Sequence, residues 1–492
     1  MPSEENIKLI FGIKLKHLRQ KRKLNPLQLS EKSGISNSYL NEIEKGRKYP
    51  KTDKINALAE ALQVKYDDLV SLKLPKEFAA FELLLQSNIL SELPLNMLGF
   101  DINSIVDLLS NSPTKINAFL NTIVEIARNH DLQTEYFYFS VLRSYQEIKE
   151  NYFEDTELDV INFIKQQKID TKEGFTSKAI KEILARDYQY TFNVLPVKFK
   201  QFRSIYKLKE NCLYLNENLN EHQLLFVLGR EIAFNFLNLE PRPLITTHFN
   251  DSGFSEIFNN FIASYFATAL LLPQDRLVKD LNDFFKLKTW DNSKFEEMID
   301  SYGVSAEMYM HRLTNLLPKF FKLNSLFFLR LSKPQDRSVY NISKELHLGR
   351  LHNPHASSKD LHYCRRWISL QILNDLEALK DNRELKDVSL IKAQISNYID
   401  SKDAYFIISV ARPMYPVSGY STSVSVGILM NDSFKKIIAF AKDDAIPNRM
   451  VSEACETCRI MDCKERAVPA ALHNKEQRLK LLNENLKNFI IN

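Results

Sequence analysis

The chain has little of several things. Its 11 glycines and 17 prolines among 492 residues are too few for a collagen-like or low-complexity protein. Five cysteines, an odd number in a long chain, do not make a disulfide framework and leave metal binding or core packing. The longest apolar run, residues 261–272 (FIASYFATALLL), is shorter than the ~20 residues a membrane-crossing helix needs and includes Ser264 and Thr268. No membrane partner is expected. The first residues, MPSEENIKLIFGIKLKHLRQKRK, carry charge on both sides of a short apolar patch and no small-residue cleavage site, so no signal peptide is read and the cytoplasm is the expected compartment.

What is present is globular: 44% hydrophobic and 26% charged residues, in a length that at ~150 residues per domain gives about three domains. The pattern predicts a mainly α multidomain protein with α+β parts. The net charge of +5 is unevenly spread. Residues 1–75 hold 15 Lys/Arg against 9 Asp/Glu, and the remainder is nearly balanced at 51 against 52. The excess positive charge therefore sits in the first sixth of the chain, where it can neutralise phosphates.

In that segment Ile10, Ile13, Leu15 and Leu18 recur at helical spacing. Asn25 followed by Pro26 reads as an N-cap with proline at the first helical position. Gly34 supplies a tight interhelical turn, Ser36 caps a third helix ended by Gly46, and a fourth helix starts at Thr52. Four or five short helices in about 65 residues make a helix-turn-helix domain, here residues 1–72. The stretch LKHLRQKRKLNPLQLSEKSGISNSYLNEIEKGRKYPKTDKINALAEALQV resembles the lambda-repressor-like, xenobiotic-response-element (XRE) class over residues 7–72. The resemblance implies a third helix in the major groove of double-stranded DNA, with Asn37, Ser38 and Asn41 at base edges and Tyr39, Lys45, Arg47 and Lys48 near phosphates. One departure is Pro26, where many relatives carry a phosphate-contacting glutamine.

Residues 73–168 are helical and aromatic-rich (FYFSVLRSYQEIKENYF) and are assigned as a connector that also serves dimerisation, suiting a homodimer on a two-fold operator. Over residues 169–345, helical AIKEILARDY is followed by strand-like TFNVLPVKF and SIYKLKENCLYLNENL, then by two helices, EHQLLFVLGREIAFNFL and NNFIASYFATALLLPQDRLV. This order resembles the ImmA/IrrE-type metallopeptidase domain. In that family the first of the two helices carries H-E-x-x-H, two histidines for zinc and a glutamate base. Here the window reads Arg230-Glu231-Ile232-Ala233-Phe234, and the third ligand position falls on Asn260. Such a set holds no zinc, so the resemblance implies a degenerate, zincin-like fold, and neither Glu231 nor His222 is assigned a catalytic or ligand role. A cleft that outlives its metal can take a small ligand, for which Arg203, Tyr206 and Arg230 supply charge and hydrogen-bonding groups suited to phosphate or carboxylate.

Near the C-terminus EACETCRIMDCKERAVP sets Cys455, Cys458 and Cys463 at C-x2-C-x4-C, and Cys364 in HYCRRW is the candidate fourth ligand. Four thiolates suit structural zinc or the corners of an iron–sulfur cluster equally well. His347, His352, His355 and His362 stand nearby as competitors, and Cys212 reads as an ordinary strand residue. Residues 346–492 are thus a four-cysteine, metal-binding sensor domain, with strands in AYFIISVARPMYPVSGYSTSVSVGILM, a helix at SFKKIIAFAKD and an amphipathic terminal helix.

CRRW together with CETCRIMDCKERAVP resembles the C-terminal domain of the short-chain fatty acyl transcriptional regulators, and the domain order matches over nearly the whole chain. The resemblance implies a non-enzymatic, cytoplasmic regulator that binds a short-chain acyl-CoA and, in some members, a [4Fe-4S] cluster, with Zn2+ as the alternative occupant. Two other classes compete: an antitoxin-like or phage-type DNA-binding protein without metabolite sensing, and a zinc metallopeptidase, which the missing ligands disfavour.

Overall fold

The computed structural model describes residues 4–75, 78, 134–169, 174–245, 253–334, 339–349, 361–380, 389–399, 401, 403–414 and 419–491. It divides into two compact units, Met1–Tyr145 with Asn250–Ile257, and Gln146–Phe249 with Phe258–Asn492.

The first unit opens with five helices: α1 (Glu4–Lys21), α2 (Pro26–Ser33), α3 (Asn37–Glu44), α4 (Thr52–Leu62) and α5 (Tyr66–Val70). Their ends are fixed by local chemistry. Asn25 Oδ1 accepts from the Gln28 backbone N–H at 2.8 Å while Gln28 Oε1 accepts from the Asn25 N–H at 2.9 Å, a reciprocal cap in front of Pro26. Gly34 ends α2 with φ +69°, the left-handed conformation glycine adopts without strain. Phe11, Leu15, Leu29, Leu40, Ile43 and Leu58 meet in one core, each burial contributing roughly 1.5–3 kcal/mol. Gly12 lets α1 lie directly against the end of α3, since a Cβ there would stand 2.4 Å from the Ile43 carbonyl oxygen.

Of the expected connector over 73–168, residues 79–133 lie outside the described residues. Two helices of it are described, α6 (Thr134–Ile148) and α7 (Glu154–Gln167).

In the second unit α8 (Ser177–Tyr188) leads into a three-stranded sheet of β1 (Thr191–Val194), β2 (Ser204–Lys207) and β3 (Cys212–Leu215). The order is β1-β3-β2, with β1 parallel and β2 antiparallel to β3. Helices α9 (Glu221–Phe236) and α10 (Phe254–Leu271) follow and pack closely where Gly229 faces Ala267. Then come α11 (Gln274–Phe285), α12 (Asn292–Asp300) and α13 (Ala306–Phe321).

The rest is built on a six-stranded sheet of β4 (Leu326–Pro334), β5 (Asn341–Leu348), β6 (Leu390–Tyr398), β7 (Ala404–Pro413), β8 (Tyr420–Leu429) and β9 (Asn448–Val451), in the order β5-β4-β8-β7-β6-β9. All pairs are antiparallel except β6 with β9. Residue 345, the expected boundary, falls inside β5. Both β4 and β5 belong to the later sheet, because β4 pairs with β8 from Leu326–Ile428 to Pro334–Tyr420.

Helix α14 (Ile368–Lys380) covers one face of this sheet, over Phe327, Leu329, Leu331, Ile407 and Ala411. Small hydroxyls let it approach: Ser423 Oγ donates to the Ser369 carbonyl at 2.7 Å and Ser425 Oγ to Ser369 Oγ at 2.9 Å. The opposite face carries Phe328, whose ring meets His311 of α13 at 5.4 Å. After β8 the expected helix at SFKKIIAFAKD is broken into α15 (Asp432–Ile437) and a 3-10 turn at Ala439–Lys442. The chain ends in α16 (Ala471–Ile491), where Leu479, Leu482 and Leu486 are exposed.

Candidate functional site

Helix α3 presents Asn37, Ser38 and Asn41 to solvent on its N-terminal face, with Leu40, Ile43 and Glu44 buried behind them. Ser36 caps it, accepting from the Tyr39 N–H at 3.3 Å. Its far end is tied down by a buried fork: Arg19 Nε and Nη2 reach Glu44 Oε1 and Oε2 at 2.6 and 2.8 Å. The turn after the helix holds Lys45, Arg47 and Lys48. Arg47 pairs with Glu42 at 3.2 Å, and Lys48 lies over the Tyr39 ring at 5.8 Å. All seven residues expected to face DNA therefore lie on one short helix and its following turn. Gln28 is committed to the α2 cap, so it does not replace the glutamine that Pro26 displaces.

In the second unit Arg230 and Asn260 meet each other: Arg230 Nη2 donates to Asn260 Oδ1. Burial draws the Arg230 guanidinium down to about 10; Glu231 opposes the fall, and Arg242 and Arg203 reinforce it. Glu231 accepts from the Tyr190 hydroxyl at 2.9 Å and from Arg242, which makes it a satisfied structural carboxylate. His222 is occupied through Nδ1 by the Gly303 carbonyl at 2.6 Å.

Tyr206, an expected ligand residue, is held by the chain's own groups. Its hydroxyl donates to Asn211 Oδ1 at 2.8 Å, and its ring is covered by Tyr190 at 5.2 Å and by Arg242 at 4.0 Å. Sequence reasoning missed Arg242, which joins Tyr190, Tyr206, Glu231 and Phe234. Nothing in the local pattern around it signals those contacts. Arg203 remains half-buried beside the positive groups described below.

At the cysteine loop, Tyr363 and Ala454 form an isolated antiparallel bridge that sets Cys364 opposite Glu453 and Cys455 opposite His362. The Cys364 N–H donates to the Glu453 carbonyl at 3.1 Å and the Cys455 N–H to the His362 carbonyl at 2.8 Å. Cys364, Cys455 and Cys458 are buried and Cys463 is half-buried. Burial pushes the Cys364 thiol up to about 11; backbone N–H groups of Ser452 and Arg366 oppose this, and the nearby Cys458 and Cys455 add to it. The Ala467 N–H lies 3.4 Å from Cys455 Sγ.

Arg466, also missed from sequence, shapes the loop by donating to the carbonyls of Cys455, Cys458 and Ile460 at 2.6, 3.2 and 2.6 Å. His362 pairs with Glu456 at 2.8 Å and His347 lies in β5, while His352 and His355 lie outside the described residues. Cys212 sits buried in β3. Among the described residues, no three His, Cys, Asp or Glu side chains stand at the mutual distances of a single-ion site, and no helix is long and apolar enough to cross a membrane.

The helix-turn-helix family matches residues 15–69, from within α1 to the end of α5. The first domain is a helix-turn-helix domain. This chain is similar there to the immunity repressor protein of Bacillus phage phi105, 39% identical over 62 residues, which are 13% of this chain and 43% of that protein. It is likewise similar to the HTH-type transcriptional repressor RghR of Bacillus subtilis (strain 168), 43% identical over 61 residues, 12% of this chain and 45% of that one. The chain thus spans less than half the length of the curated relatives it matches. Among solved structures, a Mycobacterium tuberculosis transcriptional regulator is similar at 15% identity and a TM-score of 0.48, covering 67% of this chain and 94% of that one.

Proposed function

We propose that the chain is a sequence-specific transcriptional regulator that binds double-stranded DNA as a homodimer, has no enzymatic activity of its own, and senses a short-chain acyl-CoA or related metabolite through its second unit. The observation that carries the DNA-binding part is the exposed Asn37, Ser38 and Asn41 face of α3, held from behind by the buried Arg19–Glu44 fork and flanked by Lys45, Arg47 and Lys48. Amides and hydroxyls there suit base edges, and the flanking cations suit phosphates. Selecting a binding site from random duplex DNA and then titrating variants tests it. Asn41→Ala is expected to relax sequence preference, costing about 1–3 kcal/mol on the selected site alone. Lys48→Ala is expected to weaken all duplexes alike and lower the salt slope by about one. Failure to select any sequence would overturn this part.

The sensing part is supported by a zincin-like order of elements in which Arg230 and Asn260 stand where metal ligands would, which also speaks against peptidase chemistry. The four cysteines suit an iron–sulfur cluster, with zinc as the alternative: Cys364, whose proton affinity is raised by burial and then by the nearby Cys458 and Cys455, belongs to a set of three buried thiols that a bound cation would relieve. Bound there, a cluster would supply redox sensitivity and zinc a structural tie. Anaerobic purification, the visible spectrum and iron, sulfide and zinc analysis test this. A band near ~400 nm lost in Cys458→Ala identifies the cluster, one colourless zinc per chain identifies the staple, and neither metal overturns both.

The likeness to a phage immunity repressor, confined to the first domain, favours a second reading, a phage-type or antitoxin-like DNA-binding protein without metabolite sensing. Absence of any thermal shift with a panel of acyl-CoAs would support that reading.

A further inference from the structure

Among the described residues, one end of the large sheet collects positive charge that is only partly neutralised. Lys344 of β5 is directly opposite Arg330 of β4, and Arg330 is opposite Val424 of β8. Arg412 of β7 is opposite Thr422 of β8, two residues along the same strand. Directly opposed residues of antiparallel strands share a face, as do alternate residues of one strand. Lys344, Arg330 and Arg412 therefore point to the same side, and the backbones of Arg330 and Arg412 lie about 12 Å apart, diagonally across the one strand between them. That is within the joint reach of two arginine side chains.

One carboxylate serves this group. Glu307, in the first turn of α13, accepts from Arg330 Nε at 3.1 Å and from Lys344 Nζ at 2.6 Å. Arg203, preceding β2, joins from the small sheet, within electrostatic range of Glu307, Arg330 and Arg412. Among the described residues, neither Arg203 nor Arg412 has a side-chain hydrogen bond or ion pair, although both are half-buried. Among the described residues, four cations thus face one anion. Half-buried guanidinium groups crowded together with too little counter-charge cost stability, and an external anion would relieve that cost.

We propose that Arg203, Arg330 and Arg412 form a binding site for the diphosphate group of a small phosphate ester. The charge decides the class: the unneutralised surplus of three matches a diphosphate far better than a monocarboxylate. The partial burial of Arg203, Arg330 and Arg412 suits a small molecule rather than a duplex backbone. Arg412 offers a free planar fork to phosphate oxygens, Arg330, whose Nη1 already donates to Ser343 Oγ at 2.7 Å, offers its remaining N–H groups, and Arg203 adds charge within electrostatic range. The inference rests on the metabolite-sensing reading, for which it supplies the charged anchor.

The test uses the full chain with inorganic pyrophosphate as probe, read by calorimetric titration and thermal midpoint. Wild type is expected to bind and to gain in midpoint. Arg203→Gln and Arg412→Gln are each expected to weaken binding by about tenfold or more, the usual worth of a charged hydrogen bond, while Arg186→Gln on the exposed surface leaves it unchanged. Without ligand, Arg412→Gln is expected to raise the midpoint, because it relieves like-charge repulsion; a merely structural arginine would lower it. No pyrophosphate binding by wild type, or equal binding by the Arg203→Gln/Arg412→Gln protein, overturns the site. If an acyl-CoA then shifts wild type and that double variant equally, sensing stands and this anchor is wrong. If neither pyrophosphate nor acyl-CoA shifts wild type, both fail.

Discussion

Arg312 of α13 grips Glu157 of α7 with two parallel hydrogen bonds of 2.5 and 2.9 Å, and the arginine side chain is 0% exposed. The Tyr265 hydroxyl adds a third bond to Glu157 at 2.7 Å, and Arg312 Nε reaches the Leu272 carbonyl at 3.2 Å. A buried pair contributes little net stability over an apolar replacement, yet breaking one side strands the other charge in a dry interior. Glu157→Ala is accordingly expected to cost about 3–5 kcal/mol, seen as a lower urea midpoint. A loss below about 1 kcal/mol would mean that water reaches Arg312.

The first domain should be equally sensitive at a residue with no side chain. Gly12 admits the close approach of α1 to α3, and a methyl group there would meet the Ile43 carbonyl at 2.4 Å and that of Glu44 at 2.9 Å. These are backbone atoms, so a rotamer change cannot relieve the clash. Gly12→Ala is expected to destabilise the domain by about 1–3 kcal/mol and to weaken DNA binding without changing any DNA-facing residue. Amide hydrogen exchange across α1 and α3 in the full chain would localise the loss, and unchanged protection there would refute it.

Much of this domain is legible in sequence because its signals are local. Asn25-Pro26, Ser36 and Gly34 act within one or two turns of where they sit, and α2 and α3 start where those residues place them. The large sheet is less legible, for a physical reason. Strand β4 pairs with β8, some ninety residues on, so the sequence around residue 345 carries no trace of that pairing. The candidate sites divide in the same way. The C-x2-C-x4-C spacing is visible in the chain, whereas Arg466, Arg242 and Arg412 have meaning only through partners brought to them by the fold.

A pH dependence follows from His311 of α13. Burial first, and then Lys344, with Arg312 in the same direction and Glu307 opposing, hold its imidazole down to about 4, against 6.5 when free. The folded state thus binds fewer protons than the unfolded state between those values. The neutral histidine's contribution is complete above pH 6.5 and is lost progressively as pH falls towards 4. The urea midpoint of the wild type is expected to fall between pH 7.5 and pH 5. His311→Phe, which preserves a ring against Phe328, should flatten that slope. An unchanged slope in the variant would place the titrating group elsewhere.

The cysteine loop offers a test of organisation separate from the thiols themselves. Arg466 donates to three loop carbonyls, those of Cys455, Cys458 and Ile460, and so holds the turn that carries two of the four sulfurs. Lysine has one charged nitrogen and no planar fork, so it cannot meet three fixed acceptors in the same way. Arg466→Lys keeps the charge and every cysteine, yet it should lower metal content per chain and make Cys455 and Cys458 react faster with a thiol reagent than in wild type. If metal content and thiol reactivity both match the wild type, the loop is held by its bridge to Tyr363 alone, and Arg466 is only a neighbour.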